Sequence, residues 1–280
     1  MTRLAVPSSR DLTRLGGAIR SRRRWTPRWA VAAIVPMAIL VGWEAGAGAG
    51  FVSTRLVPAP TVVLGTLTRL ATEGDMLGHS LSTTIRVLAG FVLGATVATV
   101  LGAATGVSKR FCALFDPTLQ ALRNIPSIAW TPLFILWFGI FETSKVLMIS
   151  LGVFFPVYLT FSGAIASVDR RLVEVGRIYG LGTTALIRRI LLPASLPTYV
   201  IGLRNGLGLG WMFVVAAEFL GASQGLGYLL VDGQQTGRPA VIIAAIVMFA
   251  LLGRLTDRVV AWAGARYTTW EDGFARGTSA

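Results

Sequence analysis

Two stretches of the chain, Val87–Val107 and Val146–Val168, contain no charged side chain at all. A helix crosses a hydrocarbon core with ~20 mainly apolar residues, so stretches of this kind are expected to be transmembrane helices. Four more segments approach that length, and the expected spans centre on Trp29–Gly48, Arg86–Val107, Leu119–Phe141, Val146–Ala166, Pro197–Leu220 and Pro239–Val260. Arg204, Glu218 and Arg254 interrupt the last two. The expected fold class is all-α: a polytopic membrane protein with six transmembrane helices.

Composition agrees, with 54% of the 280 residues hydrophobic and only 14% charged, far from the balance of a soluble domain. A formal net charge of +13 would suit a nucleic-acid binder. Here, however, the basic residues cluster between apolar runs instead of lining one soluble face, so their sign reports topology and no nucleic-acid partner is expected. Cytoplasmic loops carry the lysine and arginine excess. The tail before Trp29 holds Arg3, Arg10, Arg14, Arg20, Arg22, Arg23, Arg24 and Arg28 and is placed inside. Alternation then puts Lys109 and Arg110, the strip with Arg170, Arg171, Arg177, Arg188 and Arg189, and the end with Arg258 and Arg266 inside as well. The opposite loops hold Arg55, Arg69, Lys145 and Arg238 beside Glu73, Asp75, Glu142 and Asp232. Both termini are expected to be cytoplasmic. "SRRRW" at Ser21–Trp25, with the apolar run behind it, has the look of a twin-arginine export signal, but the five spans that follow favour a retained anchor.

Cys112 is the sole cysteine and His79 the sole histidine, so neither an intrachain disulfide nor a site built on paired histidines is open to the chain. No metal site and no catalytic residue is expected. Small residues recur every four positions at Gly90, Gly94, Ala98, Gly102 and Gly106, and again at Gly202, Gly206 and Gly210. In lipid, helices associate through close backbone approach along such ridges, which marks these faces as helix contacts within a bundle or across a subunit boundary. Pro126, Pro132 and Pro156 fall where the third and fourth spans should run, and each removes a backbone donor.

Between the fourth and fifth spans stands a polar strip, "EVGRIYGLGTTALIRRILLP" (Glu174–Pro193). Asp169 is suited to cap a short helix with Leu172, Val173 and Gly176 on one face and Glu174 and Arg177 on another. Gly180 is suited to end it, and a second helix from Thr183 or Thr184 then runs through Arg188 and Arg189 into Leu192-Pro193. The spacing of Glu174-Val175-Gly176, Gly180, Ile190 and Leu192-Pro193 resembles the loop E-A-A-x3-G-x9-I-x-L-P of permease subunits in binding-protein-dependent ABC importers, with Val175 and Gly176 in place of its two alanines. "SLSTTIRVLAGFVLG" (Ser80–Gly94), "LRNIPSIAWTPLFILWFGI" (Leu122–Ile140), "LPTYVIGLRNGLG" (Leu196–Gly208) and "AEFLGASQGLGYLL" (Ala217–Leu230) resemble the nitrate/sulfonate/taurine/bicarbonate branch of those permeases. The likeness covers about His79 to Val260.

That resemblance implies a basic cytoplasmic tail (1–28), a first span with its extracytoplasmic loop (29–78), a five-helix permease core (79–262) and a cytoplasmic tail (263–280). It makes 169–193 a coupling loop that docks on a cytoplasmic ATPase, with Glu174, Val175, Gly176, Arg177, Gly180, Ile190, Leu192 and Pro193 as its coupling residues. It also implies an extracytoplasmic solute-binding protein, a second copy of the chain in a homodimer, and a bacterial plasma membrane location. The chain itself is expected to bind no cofactor and to be no enzyme: its only lysines, Lys109 and Lys145, each follow serine, so no Gly-Lys pair of a Walker A loop exists. ATP and Mg belong to the partner ATPase.

Charged groups at membrane depth are functional candidates by default. Arg204 and Arg123 are candidates to line the pathway and offer positive potential to a small anionic solute, with Glu218 near the outer end of the fifth span. The competing expectation is that Arg86 and Arg123 snorkel to an interface while Arg204 pairs with a carboxylate or carbonyls to fix packing. An ion-coupled secondary transporter is the alternative function. It would favour intramembrane carboxylates and inverted repeats, whereas Glu44 and Glu218 are read as the only acids within the spans and no internal repeat is visible.

Overall fold

The computed structural model describes residues 28–51, 53–219 and 221–268. The basic tail ahead of Arg28 and the tail after Thr268 lie outside the described residues. Two units divide the chain, Met1–Val52 and Ser53–Ala280. In the first, α1 runs Arg28–Gly48 and continues through Pro36.

The second unit is built from α2 (Pro60–Thr72), α3 (Met76–Val107), α4 (Lys109–Arg123), a 3-10 turn (Ser127–Trp130), α5 (Thr131–Phe138), α6 (Glu142–Ala166), α7 (Arg170–Ile178), α8 (Thr183–Leu186), a π-helical turn (Ile187–Leu191), α9 (Leu192–Phe219), α10 (Leu226–Gln235) and α11 (Pro239–Tyr267). Among the described residues there is no strand, so the fold is all-α. Four helices are long and apolar enough to cross a membrane: α3, α6, the rod Thr183–Phe219 and α11. Shorter apolar helices, Ala33–Gly48 and Ile128–Phe138, stand at the first and third expected spans.

The third expected span, Leu119–Phe141, is not one helix. α4 ends at Arg123, and Pro126 takes an extended conformation with φ −53° and ψ 121°. A proline also disfavours helical backbone at the residue before it, here Ile125. The chain turns helical again only at Ser127, and Pro132 sits in the first turn of α5, where a missing N–H does no harm. Gly139, at φ +74°, closes that helix. Pro156, by contrast, lies inside α6 without ending it. The second span differs at its start: α3 begins at Met76, well ahead of Arg86, because Asp75 caps it by accepting the Gly78 N–H at 3.1 Å.

The centre of the unit is α6, sandwiched between α3 and α9. Both glycine ridges face it. A Cβ at Gly90 would stand 2.5 Å from Ile149 Cγ2, and one at Gly106 2.8 Å from Ile165 Cβ. On the other side, a Cβ at Gly202 would stand 2.8 Å from Thr160 Cβ, and one at Gly206 2.7 Å from Val157 Cγ2. Gly94, Gly102 and Gly210 likewise abut α6. The ridges thus make contacts within the chain, and Val87, Ala98, Ile149, Val153, Val157, Leu207 and Val214 fill the buried core between the three helices. A second cluster, Met76, Leu226, Leu229, Val241 and Ala245, joins the start of α3 to α10 and α11.

Candidate functional site

The strip between α6 and α9 folds into a two-helix knob. Asp169 caps α7 by accepting the Arg171 N–H at 2.9 Å. At the other end Gly180 takes φ +72°, its N–H donates to Arg177 O at 2.9 Å, and the Leu181 N–H reaches Gly176 O at 3.0 Å. This pair of bonds is a Schellman ending, which needs a left-handed residue at Gly180. Gly176 is buried at the crossing of the two helices. A Cβ there would stand 2.5 Å from Ile190 Cδ1 and 2.8 Å from Leu186 Cδ1, so glycine in place of the loop's second alanine lets α7 sit closer to the helix beneath it.

The outer surface of the knob mixes charge with apolar area. Leu172 and Val175 are half-exposed, while Ile178 is 83% and Tyr179 81% exposed. Leu172 therefore faces outward and does not share the inner face with Gly176. Glu174 pairs with Arg170 at 2.9 Å on the open surface, a contact worth little in water. Below the knob, the chain passes from α8 through the π turn into α9 as one rod, Thr183–Phe219. Pro193 has no N–H for the Arg189 carbonyl, and the wider π turn carries the helix past that gap.

At the far end of that rod lies an ion-pair network, buried except at Glu142, that no single segment reveals. The Arg86 guanidinium on α3 donates to both Glu142 oxygens at 2.5 and 2.8 Å, to Glu218 Oε1 at 2.7 Å and to Gln224 O at 2.6 Å. Lys145 joins Glu142 at 3.0 Å. Glu218 also accepts from Thr83 Oγ1 at 2.9 Å and from the Gly227 N–H at 2.7 Å. The Leu226 N–H donates to Thr83 Oγ1 at 2.8 Å, and the Gly225 N–H donates to His79 Nδ1 at 3.0 Å. Two cations and two carboxylates balance, which permits burial of Arg86 and Glu218. The network ties α3, α6 and α9 to the loop before α10. Arg86 thus sits inside the bundle rather than at a lipid interface, and His79 holds a loop while stacking on Tyr228.

Arg204 forms a two-pronged pair with Asp257 of α11, at 2.7 and 2.9 Å. Asp257 is the span carboxylate that the sequence count of Glu44 and Glu218 passes over. Arg123 is exposed in the last turn of α4, a helix with no buried residue, and has no ion-pair partner among the described residues. The structure therefore does not bring Arg123, Arg204 and Glu218 to one place. Glu218 and Arg204 belong to two separate ion-pair clusters on α9. Thr83 and Gly227 lie inside the stretches Ser80–Gly94 and Ala217–Leu230 that carry the resemblance, but nothing in either stretch marks them as partners of Glu218, and Asp257 lies in neither.

Glycine-paved helices around a central span, with a polar knob packed on the start of a long apolar rod, define a polytopic helical membrane subunit. Residues 87–269 match the sequence profile of the binding-protein-dependent transport system inner membrane component family, and the chain belongs to that family. It is 38% identical over 246 residues to a Bacillus subtilis chain named as an aliphatic sulfonates transport permease, SsuC, covering 88% of this chain and 89% of that one. It is 29% identical over 264 residues to the taurine transport system permease protein TauC of Escherichia coli (90% and 95% covered). Against the nitrate import permease protein NrtB of Synechococcus elongatus it is 34% identical over 182 residues (64% and 65% covered). A chain from an inward-facing crystal form of the MetNI methionine ABC transporter shares the fold, with a TM-score of 0.56, 18% identity, and coverage of 66% of this chain and 94% of that one.

Proposed function

We propose that the chain is the membrane-spanning subunit of an ATP-driven importer, a homodimer of six-span protomers with both termini in the cytoplasm, moving a small anionic solute of the sulfonate, taurine or nitrate type by alternating access. The knob 169–193 receives a cytoplasmic ABC ATPase, which holds ATP and Mg; an extracytoplasmic binding protein delivers the solute. The observation that carries this is mechanical. An exposed, partly apolar surface at Ile178 and Tyr179 closes α7, which packs through Gly176 on Leu186 and Ile190 of the rod Thr183–Phe219, so force at the knob tilts a membrane helix. The names of the relatives support the solute class. In this reading Glu218 and Arg204 fix helix packing, and Arg123, exposed and without an ion pair among the described residues, is the candidate for positive potential along the pathway. Family membership leaves the ion-coupled alternative without support.

The test is reconstitution of the chain with its neighbouring ATPase and binding protein in liposomes, followed by uptake of labelled taurine, an alkanesulfonate and nitrate. Uptake of one of them that needs internal ATP and the binding protein is expected. Uptake that persists without ATP and collapses with the ion gradient would overturn the proposal.

A further inference from the structure

The end of the bundle opposite the knob carries a second concentration of charge that neither the ion-pair clusters nor the coupling surface uses. Arg55, in the turn before α2, Arg69, in the last turn of α2, and Arg238, just ahead of α11, line one open cleft of about 420 Å³. That volume suits a small ligand. All three side chains are exposed, and none takes part in an ion pair among the described residues, although Glu73, Asp75 and Asp232 lie on neighbouring segments. Asp75 is engaged elsewhere, by the Gly78 N–H and by Gln224 Nε2 at 3.1 Å. Between the arginines the walls are mixed, apolar at Pro58, Val62 and Val241 and hydroxyl-bearing at Thr54 and Thr66.

Three like charges around one concavity sum to a positive potential that favours an anion between them. Guanidinium groups match oxyanions through paired N–H donors, a geometry lysine lacks. Of the other basic residues at this end, Arg86 is spent on Glu142 and Glu218 and Lys145 on Glu142. We infer that Arg55, Arg69 and Arg238 form a binding site for a tetrahedral oxyanion carried on a short apolar chain: the headgroup of an anionic phospholipid or a free alkanesulfonate. The charged head sits among the arginines and the apolar part lies against Val62 and Val241. Calling this face extracytoplasmic rests on the orientation proposed above; the site itself does not, and its assay involves no transport.

The purified full-length chain in mild detergent is titrated with hexanesulfonate by calorimetry. In parallel, native mass spectrometry counts the phosphatidylglycerol retained from nanodiscs of equal phosphatidylglycerol and phosphatidylcholine. One equivalent of at least one probe is expected to bind. Each lost arginine contact weakens binding about tenfold, so Arg69→Gln with Arg238→Gln lowers it about a hundredfold, while Arg258→Gln at the other end has no effect. Arg55→Gln, in an exposed turn, should by itself lower binding about tenfold and keeps the test open should the double variant be poorly folded. Hexanesulfonate binding alone assigns the site to a free oxyanion, and phosphatidylglycerol retention alone assigns it to lipid. Saturable binding of neither probe, or binding indifferent to these substitutions, overturns the inference.

Discussion

Replacing Glu218 with glutamine preserves its shape and removes one charge, yet the structure makes it a severe change. Three donors point at this carboxylate: Arg86 and Thr83 at Oε1, and the Gly227 N–H at Oε2. The Thr83 proton is committed to Glu218 because the Thr83 oxygen already accepts the Leu226 N–H. Whichever way the amide is turned, its NH2 meets a donor. One charge-assisted bond is lost and one buried donor is left facing another, at roughly 1.5–3 kcal/mol for the first and 1–3 for the second. Arg86 keeps Glu142, so the expected loss falls near ~3 kcal/mol, at the lower edge of values for breaking buried pairs. The assay is unfolding of the purified protein by SDS titration, in which Glu218→Gln should lose nearly as much stability as Glu218→Ala. Thr83→Ser should remain close to the parent and Thr83→Val should not. A Glu218→Gln protein within about 0.5 kcal/mol of the parent would refute the donor-set argument.

The sandwich about α6 makes Gly90→Ala destabilising by about 1–3 kcal/mol through overpacking on Ile149, whereas Gly208→Ala, with nothing within 4 Å, should be neutral in the same titration. Arg204→Gln leaves Asp257 with only Arg254 at 4.0 Å and should lower stability by about 1 kcal/mol; Asp257→Asn added to it should recover most of that loss, and no recovery would mean that the pair is not what holds α9 to α11. Gly180→Ala strains the left-handed turn by roughly 1–2 kcal/mol without any steric contact, so hydrogen exchange at Leu181 should quicken while the membrane core keeps its protection.

What the sequence discloses follows the range of each interaction. Uncharged runs announce α3 and α6 because length and hydropathy are local, and Asp169, Gly180 and Pro193 announce the knob because caps and stops are local too. The break at Pro126 was visible as a residue but not as an outcome, since a proline inside α6 leaves its helix intact while the one after Ile125 does not. The ion-pair network and its hydrogen bonds join residues as far apart as His79 and Gly225, 146 positions, and no periodicity records such a meeting. Asp257 stands between Arg254 and Arg258, company in which a carboxylate looks like part of an interfacial end; only the packing of α9 on α11 shows its partner to be Arg204. Arg55, Arg69 and Arg238 were noted as outer-loop charges, but their shared cleft depends on α2 lying against α11.

The central claim is that the knob is where an ATPase takes hold, and co-purification measures it most directly. The tagged chain is extracted from its native membrane in mild detergent with ATP present, beside Gly180→Arg and a variant with Ile178→Asp and Tyr179→Asp on the exposed face. Near one-to-one recovery of a Walker-bearing ATPase with the parent chain, and its loss from both variants while each still folds, is the result the account predicts. Repeated recovery of the folded parent chain with no ATPase, or equal recovery from parent and variants, would contradict it.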